Sequence, residues 1–147
     1  QFDISEAVPG LLHCARSSDG SERWAAAFAL QRYSGGGGHD DAVLATLLGM
    51  ARDTDLPAKV HALRALTKFG HRSQEVVPAL ISALADKRHE ARSEAANTLG
   101  VFGPVAKKAI PALSVTADTD DVASVREAAR EALGRVRGRS KRLDEER

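Results

Sequence analysis

The chain has 147 residues, about the length of one domain, and its formal net charge at pH 7 is +1. This near balance argues against a general attraction to nucleic acid or acidic lipid, and no apolar run approaches the ~18 residues that a membrane span needs. Aromatic residues make up only 4% of a chain rich in alanine, a composition that suits closely packed helices.

The first part of the chain reads as a pair of helices. Apolar residues at helical spacing predict one helix over about residues 6–16, with Ser5 as its cap, and a second over about residues 21–33. The stretch 17–20 between them is rich in Ser, Asp and Gly and predicts a turn. Ahead of the first helix, Phe2 and Ile4 are apolar and are expected to cover the open end of the stack.

A run of four glycines, residues 35–38, follows this helical pair. A glycine run can cradle phosphate, but this one follows a helix and lacks the Lys and Ser/Thr of a phosphate loop. We therefore interpret it as a flexible linker between repeats, after which Asp40 or Asp41 caps the next helix.

Three more helical pairs continue the pattern, giving predicted repeats at about residues 5–33, 40–70, 73–103 and 104–137 of a single domain. The last helix has a charged outer side, as the terminal repeat of a stack requires. Residues 138–147 (GRSKRLDEER) are strongly charged and are expected to form a disordered tail.

The four pairs share one apolar skeleton. In the second helices, the aligned residues are Leu30, Leu66, Leu99 and Leu133, which lie 36, 33 and 34 positions apart. In the first helices, nearly the same offsets, 36, 33 and 33 positions, align Leu11, Leu47, Leu80 and Leu113. A period in the thirties with a fixed skeleton is typical of stacked helical repeats. We predict an all-α fold, an α-solenoid with a right-handed superhelix, built from four helical hairpins and about eight helices.

The segments VPALISALADKRHEARSEAANTLG and IPAL…D…VREAAREALGRV resemble short HEAT repeats of the kind known from phycobilin lyases. The resemblance covers about residues 4–136 and implies paired antiparallel helices whose second members line one face. It also implies a polar ladder from repeat to repeat, formed by turn aspartates and the basic residues that follow them. The ladder positions in this sequence are Arg23, Asp53, Lys59, Asp86, Arg92, Asp120 and Arg126, while Ser17 departs from the pattern.

No residue pattern in the sequence points to catalysis or to a metal. The five histidines include no i,i+4 pair, and neither a nucleophile elbow nor a Walker loop nor a Cys/His cluster occurs. His39, Asp40 and Asp41 are more typical of a helix cap than of a metal site. We expect no enzymatic activity, metal or cofactor. A bilin lyase activity rests on the resemblance alone and ranks last among the alternatives.

The exposed side of the second helices is the place where a function is expected. Two outward columns there begin with Trp24 and Phe28, one helical turn apart, so that both rings share a face. Aromatic anchors flanked by Arg are common at protein interfaces. We therefore expect a protein-interaction module or part of a larger scaffold, in which a concave groove binds a protein partner. The groove residues would be Trp24, Phe28, Arg32, Val60, Arg64, Lys68 and Asn97.

Two alternatives to this interpretation stay open. Trp24 and Phe28 could instead be covered by Phe2, by Ile4, by the glycine run or by a repeat that precedes this sequence. The basic C-terminal part could instead bind nucleic acid, as in HEAT-type DNA glycosylases, through Arg126, Arg130, Arg135, Arg137, Arg139, Lys141 and Arg142. We expect a cytoplasmic location, and the start at Gln1 leaves a processed or exported form open.

Overall fold

A computed structural model describes residues 4–138, and every regular element in that range is a helix. The described residues fall into two compact units, the first ending at Phe69 and the second beginning at Gly70. Short 3-10 helices lie at Ser5–Ala7, Leu66–Arg72 and Gly103–Ala109. The α-helices are α1 (Val8–Cys14), α2 (Gly20–Leu30), α3 (Asp40–Met50), α4 (Leu56–Ala65), α5 (Ser73–Ala83), α6 (His89–Phe102), α7 (Ile110–Thr119) and α8 (Ala123–Val136).

The helices pair within each unit as the period predicts. In the first unit α1 packs on α2 and α3 packs on α4, and in the second α5 packs on α6 and α7 packs on α8. Neighbouring second helices also pack on each other, α2 on α4 and α6 on α8. The prediction of an all-α fold of helical repeats is confirmed, and residues 4–138 contain eight α-helices in four hairpins.

The core of each unit is made by the aligned apolar columns. Leu30 and Leu66 in the first unit, and Leu99 and Leu133 in the second, are all buried, with Leu133 the most accessible at 8%. Leu47, Leu80 and Leu113 of the first-helix column are buried too, whereas Leu11 is only half-buried. Burial of this column is what gives each hairpin its stability, because one hairpin alone cannot cover its apolar faces.

Aspartates cap two of the second helices. The carboxylate of Asp19 accepts a hydrogen bond of 2.8 Å from the backbone N–H of Ser21, and that of Asp55 accepts one of 3.0 Å from the N–H of Ala58. Each bond satisfies a backbone donor that the first turn of a helix leaves without a partner. The turns between helices therefore set where α2 and α4 begin.

The predicted caps of two first helices are wrong. Ser5 opens a 3-10 turn, and the residue before α1 is Ala7, which makes no side-chain capping bond. Asp40 is already the first residue of α3, and the residue before it, His39, makes no side-chain capping bond either. The carboxylate of Asp40 instead accepts hydrogen bonds from the Tyr33 hydroxyl and from the backbone N–H of Gly36.

These contacts give the glycine run a defined turn. All four glycines of residues 35–38 have positive φ, between 66° and 99°, a conformation that L side chains rarely adopt. Tyr33 is only 2% exposed, and the single proton of its hydroxyl is shared between Asp40 and the carbonyl of Gly36, which lies 2.8 Å away. The segment connects two repeats as predicted, but its middle is fixed by hydrogen bonds that composition alone does not indicate.

Two predictions concern residues that the structure does not describe. Phe2, expected at the open end of the stack, lies outside the described residues. The predicted tail, residues 138–147, also lies outside them apart from Gly138.

Candidate functional site

The turns of successive repeats are joined by paired hydrogen bonds in each unit. In the first unit, Arg23 donates from Nε and Nη2 to the two carboxylate oxygens of Asp53, at 2.8 and 2.9 Å. Its Nη1 donates back to the backbone carbonyl of Ser17, at 3.0 Å. One guanidinium therefore ties its own turn to the turn of the next repeat.

The second unit repeats this arrangement. Arg92 donates from Nε and Nη2 to Asp120, at 2.8 and 3.0 Å, and from Nη1 to the carbonyl of Asp86, at 2.9 Å. Nη2 also reaches the exposed carboxylate of Asp121 at 3.0 Å. Arg126, at the end of the series, donates to the carbonyl of Asp120 in its own turn.

The two other predicted ladder residues are also partly or fully enclosed. Lys59 is only 8% exposed, and its charge is close enough to lower the pKa of Asp53. Asp86 is half-buried and accepts hydrogen bonds at 2.9 and 3.2 Å from the backbone N–H and the Nε of Arg88. Every predicted ladder residue therefore stands at an inter-helix turn or in the first turns of a second helix.

The bidentate hydrogen bonds from arginine lower the pKa of Asp53 and of Asp120. Burial raises the pKa of Asp53, but hydrogen bonds from Arg23 and from the N–H of Asp55 outweigh it and leave the pKa below the ordinary 3.8. For Asp120, the hydrogen bond from Arg92 is the main cause and lowers the pKa of the carboxyl despite partial burial. Both carboxylates are thus stabilised in their charged form.

Three rings form an exposed cluster on the first unit, which we call the aromatic surface. Trp24 and Phe28 on α2 lie with their ring centroids 6.1 Å apart. His61 on α4 lies edge-on to both, at 6.1 Å from Trp24 and 5.4 Å from Phe28. Among the described residues nothing encloses the two large rings, because Trp24 remains 39% exposed and Phe28 53% exposed.

The predicted basic residues stand further along the same two helices. We use the name basic flank for Arg32, just after α2, Arg64 on α4, and Lys68 after α4, all three of which are exposed. Val60 on α4 is half-buried. Asn97 is exposed on α6 and belongs to the second unit.

His61 was not predicted from the sequence as part of this surface. Its side chain lies between the two helices because a hydrogen bond joins its Nδ1 to the side-chain amide of Gln31. Its aligned positions in the other repeats hold Ala25, Glu94 and Ala128. His61 is the one aromatic ring among these four aligned positions, and it follows Val60, which was predicted to face outward. This was the feature of the sequence that could have identified it.

The basic residues of α8 are partly engaged in local pairs. Arg135 donates from Nη2 to Glu131 one turn earlier, at 3.1 Å. Arg130 and Arg137 are exposed, and Glu127 and Glu131 are exposed on the same helix. Arg139, Lys141 and Arg142 lie outside the described residues. The Arg135–Glu131 pair and the exposed Glu127 reduce the positive charge that phosphates would meet.

Residues 4–138 contain no group of three or more His, Cys, Asp or Glu side chains that could hold a metal ion. No helix in this range is both long and apolar enough to cross a membrane.

The family described as HEAT repeats matches residues 44–134, more than half of the chain. The crystal structure of an engineered protein from the Northeast Structural Genomics Consortium is similar, with a TM-score of 0.67 at 22% sequence identity. That similarity covers 88% of this chain and 62% of the engineered one, and at such an identity it shows the fold alone. Comparison with curated proteins gave no match.

Proposed function

Because this chain belongs to the HEAT-repeat family, we propose that it is a non-catalytic interaction module whose protein partner binds the aromatic surface. HEAT repeats are generally protein-interaction scaffolds, and stacked repeats present extended surfaces to their partners. The observation that carries the proposal is the exposure of Trp24 and Phe28 side by side on α2. Adjacent large rings that stay exposed to solvent form an apolar patch, and such patches mark interaction sites.

The open ring area of the aromatic surface can contribute to the free energy of binding. Covering the ring area that is still open, on the order of 200 Å², would contribute about 5 kcal/mol before the costs of association. Trp is among the residues most often found at the energetic centre of an interface. The hydrogen bond from Gln31 to His61 holds the third ring in place, so little conformational entropy is lost there on binding.

The basic flank places positive charge at one end of the aromatic surface. Arg32, Arg64 and Lys68 stand toward the carboxyl ends of α2 and α4, where positive side chains are also favoured by the helix dipole. An acidic residue of the partner would be placed next to this flank. Charge complementarity of this kind speeds association and fixes orientation more than it adds affinity.

The proposed groove runs along α2 and α4 of the first unit, with Val60 beside the aromatic surface, and Asn97 on α6 is proposed as a partner contact of the second unit. Arg23 with Asp53 would keep the two repeats of the first unit in a fixed register, and Arg92 with Asp120 would do the same in the second unit. A rigid surface of this kind binds without reorganisation, which preserves affinity.

The proposal is tested by changing both large rings at once. The double variant Trp24→Ala, Phe28→Ala should lose partner capture in a cross-linked pull-down with the intact protein, while its helical circular dichroism stays unchanged. A matched control is Val101→Ala, Val115→Ala, since these side chains are 60% and 62% exposed in the second unit. Melting of the double variant would instead assign the rings to the core, and unchanged capture would refute the proposed surface.

A further inference from the structure

A depression of about 440 Å³ lies beside the aromatic surface, where the amino ends of α2 and α4 meet. Ser21, Trp24, Asp55 and Pro57 line it. One wall is thus the indole of Trp24, which is 39% exposed, and another carries a carboxylate. A π-system and a carboxylate facing the same open space are the two groups that attract an organic cation.

The carboxylate of Asp55 is held in a fixed position. Its Oδ2 accepts the capping hydrogen bond from the N–H of Ala58 at 3.0 Å. Its Oδ1 lies against Gly20, where a Cβ would come within 2.9 Å of that oxygen. Because Gly20 has no side chain, the Asp55 carboxylate fits against it. The carboxylate is therefore held in one orientation before a ligand binds.

The charges around the depression are mostly negative. Asp19 and Glu22 are exposed carboxylates at the start of α2. Arg23, a cation on the same helix, is hydrogen-bonded to Asp53 and to the carbonyl of Ser17, and its charge also interacts with Asp55 and Asp19. Its hydrogen-bond donors are therefore engaged by groups outside the lining of the depression.

An anion is disfavoured here even though two helices begin at this place. Helix amino ends attract anions through free backbone N–H groups and the helix dipole. The carboxylates of Asp19 and Asp55 already accept hydrogen bonds from the first turns of α2 and α4. These carboxylates supply the negative charge that a bound anion would otherwise provide.

We propose that this depression binds a lysine or arginine side chain of the protein partner. The charged head would lie between the Trp24 ring and the Asp55 carboxylate, and the aliphatic stem would pack on Pro57. The inference rests on the proposed partner surface and adds to it. The partner segment would carry a basic residue at the Trp24 end and an acidic residue near the basic flank.

The test uses the intact protein and small probes, so that it does not depend on the partner. Trp24 is the only tryptophan in the sequence, and its fluorescence therefore reports the site directly. Titration with Nα-acetyl-arginine amide should give a saturable change that weakens as salt is added, whereas the neutral Nα-acetyl-norleucine amide should bind more weakly. Equal binding of the neutral probe, or no saturable change, would overturn the inference.

A matched pair of charge variants completes the test. Asp55→Asn keeps a capping side chain but removes the charge, and it should weaken arginine-probe binding by about three- to tenfold. Glu22→Gln removes an equal charge from α2 but not from the lining, and it should change binding by less than about twofold. If Asp55→Asn binds as the parent does, the depression is not a cation site. The proposed role of the aromatic surface is tested separately, by the Trp24→Ala, Phe28→Ala double variant.

Discussion

The guanidinium of Arg92 donates two parallel hydrogen bonds to the carboxylate of Asp120, a residue of the following repeat. The same two-bond geometry joins Arg23 to Asp53 in the first unit. In both cases the remaining nitrogen returns to carbonyls of the arginine's own turn. A planar fork can make these contacts at once, because its donors point in fixed directions.

We expect Arg92→Lys to destabilise the protein although the charge is kept. Lysine cannot donate two parallel bonds to Asp120 and still reach the carbonyl of Asp86. The free energy of unfolding in urea should fall by about 1 kcal/mol. Arg130→Lys, an exposed position on α8, is the control and should stay within about 0.5 kcal/mol of the parent. Equal stability of the two variants would show that the bidentate geometry contributes nothing.

The lowered pKa values of Asp53 and Asp120 predict a loss of stability in acid. A carboxyl whose folded pKa lies below its unfolded value of 3.8 stabilises the fold above that value, and this contribution is lost as the pH falls through the lower folded pKa. Unfolding free energy measured from pH 6 down to pH 2 should fall most steeply below about pH 4. Asp120→Asn should be less stable than the parent at pH 6 and should show a shallower fall. An identical slope in the variant would contradict the role given to this carboxyl.

Tyr33 predicts a second pH effect, at the alkaline end. Burial, together with the hydrogen bond to Asp40, raises the pKa of Tyr33 to about 12. Because the unfolded phenol ionises near 10, stability should be complete below that pH and should fall as the pH rises from about 10 to 12. Tyr33 is the only tyrosine in the sequence, so tyrosinate absorbance measures the ionisation directly.

Tyr33→Phe removes the hydroxyl that joins Asp40 to the glycine run. We expect it to lower the free energy of unfolding by about 1–2 kcal/mol at neutral pH, because the hydrogen bond that the hydroxyl shares between Asp40 and the Gly36 carbonyl is lost. A variant as stable as the parent, or an ordinary tyrosinate transition in the parent, would mean that this contact does not form in solution.

Two helix glycines should respond to alanine in opposite ways. A Cβ at Gly100 would come within 3.2 Å of the Ala132 Cα, a backbone atom on the helix packed against it. No side chain or neighbouring backbone lies within 4 Å of a Cβ at Gly134. The free energy of unfolding of Gly134→Ala should therefore rise by about 0.5 kcal/mol, because alanine has the higher helix propensity. Gly100→Ala should not gain this stability, because its Cβ would crowd the close contact between α6 and α8. Thermal melting of both variants checks this, and a Gly100→Ala protein as stable as Gly134→Ala would contradict the packing.

The sequence predicts the repeated core well and the local contacts poorly. Leu30, Leu66, Leu99 and Leu133 could be found because a single physical requirement, burial, acts on every repeat at the same position. The contact of Asp40 was not predicted because its carboxylate can either cap a helix or accept a hydrogen bond from Tyr33. The path of the glycine run decides which of the two forms. His61 was not predicted because its contact to Phe28 depends on how α2 faces α4, which no single-helix pattern reports.

Photo-cross-linking from the aromatic surface tests the proposed function most directly. The intact protein would carry p-benzoylphenylalanine in place of Phe28, and a second sample would carry it in place of Val115, which is exposed on α7 of the second unit. We predict one dominant cross-linked protein from position 28 that is lost when Trp24→Ala is added, and no such product from position 115. The same products from both positions, or none from position 28 in a fully folded protein, would contradict a partner-binding role for Trp24 and Phe28.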